Sequence, residues 1–365
     1  MKRILIIMSC LARNGTETFI YNLYNHIDRK KYEFHFLIDK NVKDGYENEI
    51  LKLGGKIYYL NTKPRNVAAN FAEINRFFKS RKNFYDAVHY CGNSFCWTPA
   101  LYFARLYGIK KIIAHAHNST VKSTRIKLMH YINKLPLSLI ATDFLACSQS
   151  AADWGFKGTP AKKRSRVITN GINLDSYKFN PLVRSELRKS LNISHEDIVI
   201  GNVGRLSKVK NQKFLIDLVR RMRDEGIKVK LLLIGEGADR KMLEELAKSY
   251  ELENEIYFLG LRKDINLLLN VIDIFVLPSL HEGLPFVCIE AQANSLPMLV
   301  SDTVSKEVAI TDKVHFQSLD APLGKWIEDI RNLTSGEREV ISNTKSLMPY
   351  SITQTVKEMV EVYGK

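Results

Sequence analysis

Short apolar runs alternate with longer segments of helical periodicity along the first half of the chain. A continuous apolar run of this kind is typical of a strand buried on both faces of a parallel sheet. The runs cover residues 3–9, 33–38, 56–60, 87–90, 111–114, 144–148 and 166–169. Between them, apolar residues recur at helical spacing, as Phe19, Leu23 and Ile27 do. This alternation predicts an α/β fold with an open parallel sheet covered by helices on both faces.

The same pattern starts again after Asn180 and Pro181. New apolar runs cover residues 198–203, 229–234, 256–259, 272–277 and 298–301. A chain of 365 residues exceeds what one hydrophobic core usually supports. The sequence therefore predicts two domains of similar plan, residues 1–178 and 179–349.

Composition and charge narrow the class of protein. Apolar residues at 45% and charged residues at 25% are ordinary for a soluble globular protein. The net charge of +15 suits nucleic acid, an anionic membrane surface or phosphorylated substrates. The cations are spread over many loops without interleaved aromatic residues, which argues against nucleic acid.

The cysteines and the N-terminus indicate a cytoplasmic protein. The five cysteines are scattered and form no Cys-x-x-Cys pair, which fits a reducing compartment. The apolar run at residues 4–8 is too short for a signal peptide and is better explained as a buried strand. No apolar run approaches the roughly eighteen residues of a membrane span.

Residues 277–297 combine a strand end, a Gly/Pro elbow and a helix start. The first amides of such a helix are unpaired and suit an anionic or hydroxyl-rich ligand. Gly283 allows a ligand close to the backbone, and Pro285 is tolerated at the first helical position. Glu282 precedes the helix and Glu290 follows a little over two turns later, so two carboxylates could line one crevice. The alternative is a plain strand–helix unit with a solvated loop glutamate.

Arg205 and Lys210 follow the predicted strand 198–203, directly after Gly204. Their spacing allows both cations to grip one diphosphate. Departure of a nucleoside diphosphate builds negative charge that either Mg²⁺ or fixed cations must stabilise. The chain contains no Asp-x-Asp, so we expect these cations to act in place of a metal, and we expect no cofactor. The alternative is a pair of solvated basic side chains.

Two features stand at strand ends in the first half. The turn at Gly15 lacks the Gly-x-Gly-x-x-Gly fingerprint, which argues against a dinucleotide site. Its amides could bind a phosphate or an acceptor sugar, or the turn could be a plain connection.

His115 and His117 lie on one side of their strand if it persists. No nearby Cys, Asp or Glu completes a ligand set, so we predict a sugar hydroxyl or phosphate as partner rather than a metal.

Residues 121–139 form a basic amphipathic stretch. Its cations stand among leucines and isoleucines and are Lys122, Arg125, Lys127 and Lys134. The stretch suits a membrane surface or an anionic lipid-linked acceptor. It is equally compatible with a surface helix whose lysines face water.

The second half of the chain contains, in order, the segments GNVGRLSKVKN, LLLIGEGADR, YFLGLRKD, DIFVLPSLHEGLPFVCIEA and LPMLVSDTVSKE. In this order and spacing they resemble the C-terminal half of the retaining family 4 glycosyltransferases. The NGTE turn, HAHNS and VITNGIN resemble the N-terminal half, although the family's usual Gly-Gly turn is here Asn14-Gly15. The segment SDTVSKE also resembles the corresponding segment of enzymes of bacterial capsular and exopolysaccharide assembly. The resemblance implies the GT-B fold, in which two Rossmann-like parallel-sheet domains face each other across a cleft.

The resemblance also implies roles for individual residues. Arg205 and Lys210 would bind the diphosphate, Glu290 the ribose hydroxyls, and Glu282 with the amides of residues 283–286 the donor sugar. His117 would contact the transferred sugar near the reacting carbon. The implied donor site comprises Gly15, Gly204, Arg205, Lys210, Glu282, Gly283, Leu284, Pro285, Phe286 and Glu290, and the implied catalytic residues are His117, Glu282, Arg205 and Lys210. The last helix, within residues 350–365, would return to the first domain.

The reaction expected from this resemblance is transfer of a hexose or N-acetylhexosamine from a nucleotide diphosphate sugar, in particular a UDP-sugar. The acceptor would be a hydroxyl of a glycan or lipid-linked glycan, with the anomeric configuration retained. We expect a cytoplasmic enzyme, for which the basic stretch 121–139 would allow peripheral contact with the inner face of the plasma membrane. A glycosidase carboxylate pair is rejected, because Glu290 is expected deep in a nucleotide crevice. A sugar-nucleotide epimerase of the same fold and a non-catalytic nucleotide-sugar-binding protein remain as alternatives.

Overall fold

The structure is a computed structural model that describes residues 1–42, 45–62, 66–121, 123–338 and 345–364. The chain forms two compact units, the first containing Met1–Gly171 and the segment from Pro349 onward, the second Ile172–Met348. The first break therefore falls at Gly171 and not after residue 178. The 3₁₀ segment Leu174–Tyr177 belongs to the second unit because it packs against helices of that unit. The Tyr177 hydroxyl donates a hydrogen bond to Glu290 there.

The first unit is built on a seven-stranded parallel sheet in the order β3-β2-β1-β4-β5-β6-β7. The strands are β1 (Lys2–Met8), β2 (Tyr32–Ile38), β3 (Lys56–Tyr59), β4 (Ala87–Gly92), β5 (Lys111–Ala116), β6 (Asp143–Ala146) and β7 (Arg166–Val167). The helices are α1 (Gly15–His26), α2 (Glu47–Lys52), α3 (Val67–Lys79), α4 (Pro99–Leu106), α5 (Thr124–Ile140), α6 (Gln149–Phe156) and α7 (Ala161–Arg164). The inner strands are almost fully buried, as their continuous apolar runs predict.

The C-terminal helix α14 (Ile352–Gly364) packs beside α1 in this unit. Thr355 Oγ1 donates a hydrogen bond to the Thr169 carbonyl at 3.0 Å. A side chain at Gly171 would bring its Cβ within 2.8 Å of the Ile352 Cα, so glycine allows this close approach.

The second unit contains a six-stranded parallel sheet in the order β10-β9-β8-β11-β12-β13. The strands are β8 (Ile198–Val203), β9 (Val229–Ile234), β10 (Ile256–Gly260), β11 (Ile274–Leu277), β12 (Met298–Ser301) and β13 (Val314–Gln317). The helices are α8 (Pro181–Ser190), α9 (Gln212–Asp224), α10 (Arg240–Ser249), α11 (Ile265–Leu268), α12 (Phe286–Ala293) and α13 (Leu323–Thr334). Helix α9 buries Leu215, Ile216 and Val219 on one face of this sheet.

Both sheets confirm the predicted parallel α/β architecture. In each, the chain starts in the middle, builds one side and then crosses to the other. The reversal falls between β1 and β4 in the first unit and between β8 and β11 in the second. Ligands of such sheets bind outside the carboxyl ends of the strands at this reversal. Among the residues that the structure describes, no helix is both long enough and apolar enough to cross a membrane.

Candidate active site

Lys210 and Glu282 form an ion pair at the sheet reversal of the second unit. Lys210 Nζ and a carboxylate oxygen of Glu282 are 2.7 Å apart, and each side chain is less than a fifth exposed. Their loops follow β8 and β11, which are neighbours in the sheet. The Leu280 amide donates to the Val209 carbonyl at 2.8 Å, and Asn211 Nδ2 donates to the Pro278 carbonyl at 3.1 Å. The two loops are therefore joined into one platform.

Gly204 and Arg205 belong to the same platform. A Cβ at Gly204 would stand 3.2 Å from Lys210 Cε, so the lysine side chain lies directly over this glycine. Arg205 is exposed, and its carbonyl accepts a hydrogen bond from the Gln212 amide at 3.1 Å. The buried Asn202 side chain in turn accepts from Gln212 at 3.3 Å. This network fixes the backbone from which both cations project.

The glycines of the LLLIGEGADR segment pack against the loop that carries Gly204 and Arg205. A Cβ at Gly235 would meet the Gly204 carbonyl oxygen at 2.1 Å, and one at Gly237 would meet the Leu206 carbonyl oxygen at 2.0 Å. Both positions therefore require glycine, because the two loops pack backbone against backbone. The sequence showed these glycines after a strand but gave no indication of what they contact.

The SDTVSKE segment holds the Glu282 loop. The hydroxyls of Ser301 and Thr303 donate to the Ser279 carbonyl at 2.6 and 2.8 Å. The Ser305 amide donates to the Glu282 carbonyl at 3.0 Å, and Glu282 forms a parallel bridge with Val304. This segment thus positions the Glu282 loop, a role that sequence reasoning did not assign to it.

Helix α12 begins at Phe286, immediately after the Glu282 loop. By helix geometry, its first amides have no acceptor within the helix. Pro285 is extended and precedes the helix, so the prediction that it occupies the first helical position is wrong. Proline also lacks an N–H, which leaves Gly283, Leu284 and Phe286 as the donors of this turn.

Glu290 lies deeper in the same region. Burial raises its pKa to about 7, and the Tyr177 hydroxyl, which donates to it at 2.9 Å, opposes that shift. The neighbouring Cys288 thiol is fully buried, and burial raises its pKa to about 12. The charges of Lys210, Glu282 and Glu290 all act on that thiol. The structure therefore brings these three predicted site residues together around α12.

His117 and Gly15 lie at the carboxyl edge of the first sheet. His117 directly follows β5, and its ring centroid is 4.0 Å from that of His115 and 5.2 Å from that of Phe19 on α1, the helix that begins at Gly15. Both ring nitrogens of His117 are buried without a hydrogen-bond partner among the described residues. Burial lowers its pKa to about 3, so the imidazole is neutral at physiological pH. A neutral imidazole can both donate and accept one hydrogen bond.

A buried cysteine does lie next to the histidine pair. Cys91 on β4 lies opposite His115 on β5 in the register of the sheet. Ligand atoms of His89, Cys91 and His115 lie within 4.8 Å of one another. The premise that no cysteine is near His115 is therefore wrong, although His117 is not part of this group. His89 is already engaged, because its Nε2 is 3.1 Å from His115 Nδ1 and its Nδ1 is 2.8 Å from the Tyr363 hydroxyl.

The Tyr363→Phe variant tests the contribution of this buried chain. Removing the hydroxyl leaves His89 Nδ1 buried without its partner, which should cost about 1–3 kcal/mol of unfolding free energy. Urea unfolding measures the loss. Tyr32→Phe is a matched control, since the Tyr32 ring packs near Tyr363 and its hydroxyl makes no hydrogen bond among the described residues. Equal stability of the two variants would contradict the assigned hydrogen bond.

Two Rossmann-like parallel-sheet units, the second of which carries charged loops at its strand reversal, define a protein of the GT-B class. The crystal structure of Anabaena Alr3699/HepE in complex with UDP has this fold, with a TM-score of 0.78 at 18% identity over 100% of both chains. The family model "Glycosyl transferases group 1" matches residues 183–320, and "Glycosyltransferase Family 4" matches residues 13–176.

The chain belongs to the group 1 family of glycosyltransferases. It is 32% identical over 373 residues to the Bacillus subtilis (strain 168) protein named "Putative glycosyltransferase EpsF", covering 100% of this chain and 96% of that protein. It is also 27% identical over 234 residues to the Escherichia coli UDP-Gal:alpha-D-GlcNAc-diphosphoundecaprenol alpha-1,3-galactosyltransferase, covering 61% of this chain and 59% of that enzyme. The resemblance of the sequence motifs to the family 4 glycosyltransferases is thereby confirmed.

Proposed function

We propose that this glycosyltransferase moves a hexose or N-acetylhexosamine from a UDP-sugar to a hydroxyl of a glycan or lipid-linked glycan, with retention of the anomeric configuration and without a metal. The observation that carries the proposal is the Lys210–Glu282 pair beside the first turn of α12, with Glu290 behind it. Cationic, amide and carboxylate groups are thus available together for a diphosphate, a sugar and a ribose.

The cations would stabilise the leaving group. Lys210 has three N–H donors, of which Glu282 engages one, so donors remain for phosphate oxygens. Arg205 projects from the same loop and would take the other phosphate in a forked contact. Negative charge that develops on a departing diphosphate is stabilised most by donors already held in place. The Asn202–Gln212 network and the loop contacts described above provide that preorganisation.

The donor sugar and the ribose would lie on opposite sides of the diphosphate that Arg205 and Lys210 bind. Glu282 and the amides of Gly283, Leu284 and Phe286 would bind sugar hydroxyls, and Glu290 would accept hydrogen bonds from the ribose. His117 would hydrogen-bond the transferred sugar as a neutral imidazole. In a front-face mechanism, the departing diphosphate takes the proton of the acceptor hydroxyl, which avoids a protein nucleophile on the far face of the sugar.

The substrate classes rest on the relatives and the SDTVSKE motif. The Escherichia coli relative is named for UDP-galactose as donor and a diphosphoundecaprenol-linked sugar as acceptor. HepE was crystallised with UDP. Together with the resemblance to capsular and exopolysaccharide enzymes, this supports a role in bacterial surface polysaccharide synthesis, in the cytoplasm or at the inner face of the plasma membrane.

Calorimetry with a panel of UDP- and GDP-sugars tests the donor assignment. At least one UDP-sugar is expected to bind, and GDP-sugars more weakly. NMR of the product then reports the anomeric configuration, which should be retained. Absence of binding by every nucleotide sugar contradicts the proposal, and isomerisation of the donor without any acceptor would favour an epimerase instead.

Metal independence is tested by chelation. Because Arg205 and Lys210 are proposed to stabilise the diphosphate, EDTA should leave the transfer rate unchanged. The control is the same assay with Mg²⁺ restored in excess. Loss of activity in EDTA with recovery in Mg²⁺ would show that the cations do not replace a metal.

A further inference from the structure

Helix α5 turns an apolar stripe towards solvent. Leu128, Ile132, Leu135 and Leu139 recur at spacings of four, three and four residues, so they share one face of the helix. Their exposed fractions are 60%, 55%, 55% and 81%. A helix of a water-soluble domain normally buries such a face, and a continuous exposed apolar patch marks an interaction surface.

The opposite face of α5 is buried and held by hydrogen bonds, with Leu137 packed in the core beside the buried His130. His130 accepts a hydrogen bond from the Phe95 amide at 2.9 Å, and its other ring nitrogen lies 3.0 Å from the Trp154 carbonyl. Asn133 donates to the Cys96 carbonyl at 2.9 Å. Rotating α5 to bury its leucines would break all three bonds. The outward direction of the stripe is therefore built into the packing of the helix.

The segment that carries this stripe is rich in cations. Residues 118–166 contain nine Lys and Arg against two Asp and no Glu, which gives +7 of the chain's +15. Arg125 and Lys127 are exposed on α5 itself, whereas Lys122 lies outside the described residues. Lys134 donates to the Lys157 carbonyl at 2.7 Å, and Arg164 to the Ser138 carbonyl at 2.8 Å. These two bonds hold the basic segment around α7 beside α5.

We propose that α5 docks on an anionic bilayer surface, with the leucine stripe at the acyl boundary and the surrounding cations at the headgroups. An apolar face flanked by Lys and Arg complements such an interface. Tyr131, 48% exposed next to the stripe, has the amphipathic character that favours the headgroup level. The helix has 17 residues, a length that can lie in the plane of the membrane. Docking does not depend on the proposed reaction, although it would bring the enzyme to a lipid-linked acceptor.

Co-sedimentation of the full chain with vesicles tests the proposal. Vesicles of phosphatidylcholine with about a third phosphatidylglycerol supply the anionic surface, and pure phosphatidylcholine is the neutral arm. The Ile132→Ser/Leu135→Ser variant removes the centre of the stripe, and Arg125→Glu/Lys127→Glu reverses two flanking cations. The controls are Leu182→Ser and Lys241→Glu, exposed positions of α8 and α10 in the second unit.

Wild type and controls should sediment with anionic but not with neutral vesicles. The stripe variant should lose at least about tenfold in partitioning, and the charge reversal at least about fivefold per cation at low salt. Circular dichroism verifies that each variant is folded.

Equal partitioning of the stripe variant and wild type overturns the proposal, as does absence of binding by wild type. A wild-type dimer that the stripe variant converts to monomer also overturns it, since a second copy then covers the stripe. Donor binding by calorimetry is scored separately, so failure of membrane docking and failure of the proposed activity are distinguishable.

Discussion

Replacing Lys210 by alanine is expected to reduce the rate of sugar transfer about a thousandfold while the protein stays folded. The ammonium group lies over Gly204 on the platform that joins the loops after β8 and β11. A preorganised cation at a developing negative charge contributes far more in a partly dehydrated site than in water. The loss should appear mainly in kcat, because the charge on the diphosphate increases as the sugar departs.

Lys208→Ala is the matched control for this prediction. Lys208 lies two residues earlier on the same loop and is exposed. Its removal should leave the rate near that of wild type, because it makes no ion pair among the residues that the structure describes. Thermal melts would verify that both variants are folded. If Lys210→Ala keeps wild-type turnover, or if both variants lose activity equally, the diphosphate role of Lys210 is wrong.

Much of the fold is visible in the sequence because a strand buried on both faces has a simple signature. The predicted runs 198–203, 229–234 and 298–301 coincide with β8, β9 and β12. The edge strand β13 was not predicted, because its residues Val314–Gln317 are partly exposed and form no continuous apolar run. The short helices α6 and α7 were missed for a related reason, since brief helices show too few turns of periodicity.

The candidate site was less accessible to sequence reasoning because its supporting contacts join distant segments. Tyr177 reaches Glu290 across 113 residues, and no local spacing indicates that bond. Cys91 becomes a neighbour of His115 only because β4 pairs with β5 in a particular register. Local patterns identified which loops carry charge at strand ends. Strand order and register decide which of those groups meet, and both are properties of the folded sheet.

The orientation of α5 illustrates the same limit. The stretch 121–139 was visible as basic and amphipathic, but the sequence could not decide which face would be buried. The polar side chains of His130 and Asn133 find carbonyl and amide partners in neighbouring loops, and those contacts settle the orientation. Hydrogen-bonded polar side chains can thus share the buried face of a helix with a core leucine, Leu137, while a stripe of apolar side chains remains exposed.

Glu290→Gln is expected to weaken donor binding and, at pH 8, to stabilise the protein. A glutamine accepts fewer and weaker hydrogen bonds from a ribose than a carboxylate does, because charge-assisted bonds are roughly twice as strong. We expect the donor Kd to rise at least about tenfold, corresponding to about 1.4 kcal/mol. Calorimetry with UDP measures this loss directly, because UDP carries the ribose without the transferred sugar.

The stability effect has the opposite sign. Burial raises the Glu290 pKa from 4.5 to about 7, so the folded protein holds this proton more tightly than the unfolded chain does. The stabilising contribution of the protonated group is complete below about pH 4.5, falls as pH rises towards 7, and is absent above the folded pKa. The shift corresponds to about 3 kcal/mol, which the uncharged glutamine does not lose at high pH.

Urea unfolding of wild type and Glu290→Gln from about pH 5 to pH 8 measures this difference. The stability gap between variant and wild type should widen in favour of glutamine as pH rises, while wild-type UDP affinity improves over the same interval as the carboxylate ionises. Tyr177→Phe is the companion variant. The Tyr177 hydroxyl donates to Glu290 and lowers its pKa, so its removal should shift the pH dependence of stability and that of UDP affinity to higher pH.

A stability gap that does not change with pH would mean that Glu290 does not titrate in this range. A glutamine variant that binds UDP as wild type does would mean that Glu290 does not bind the ribose.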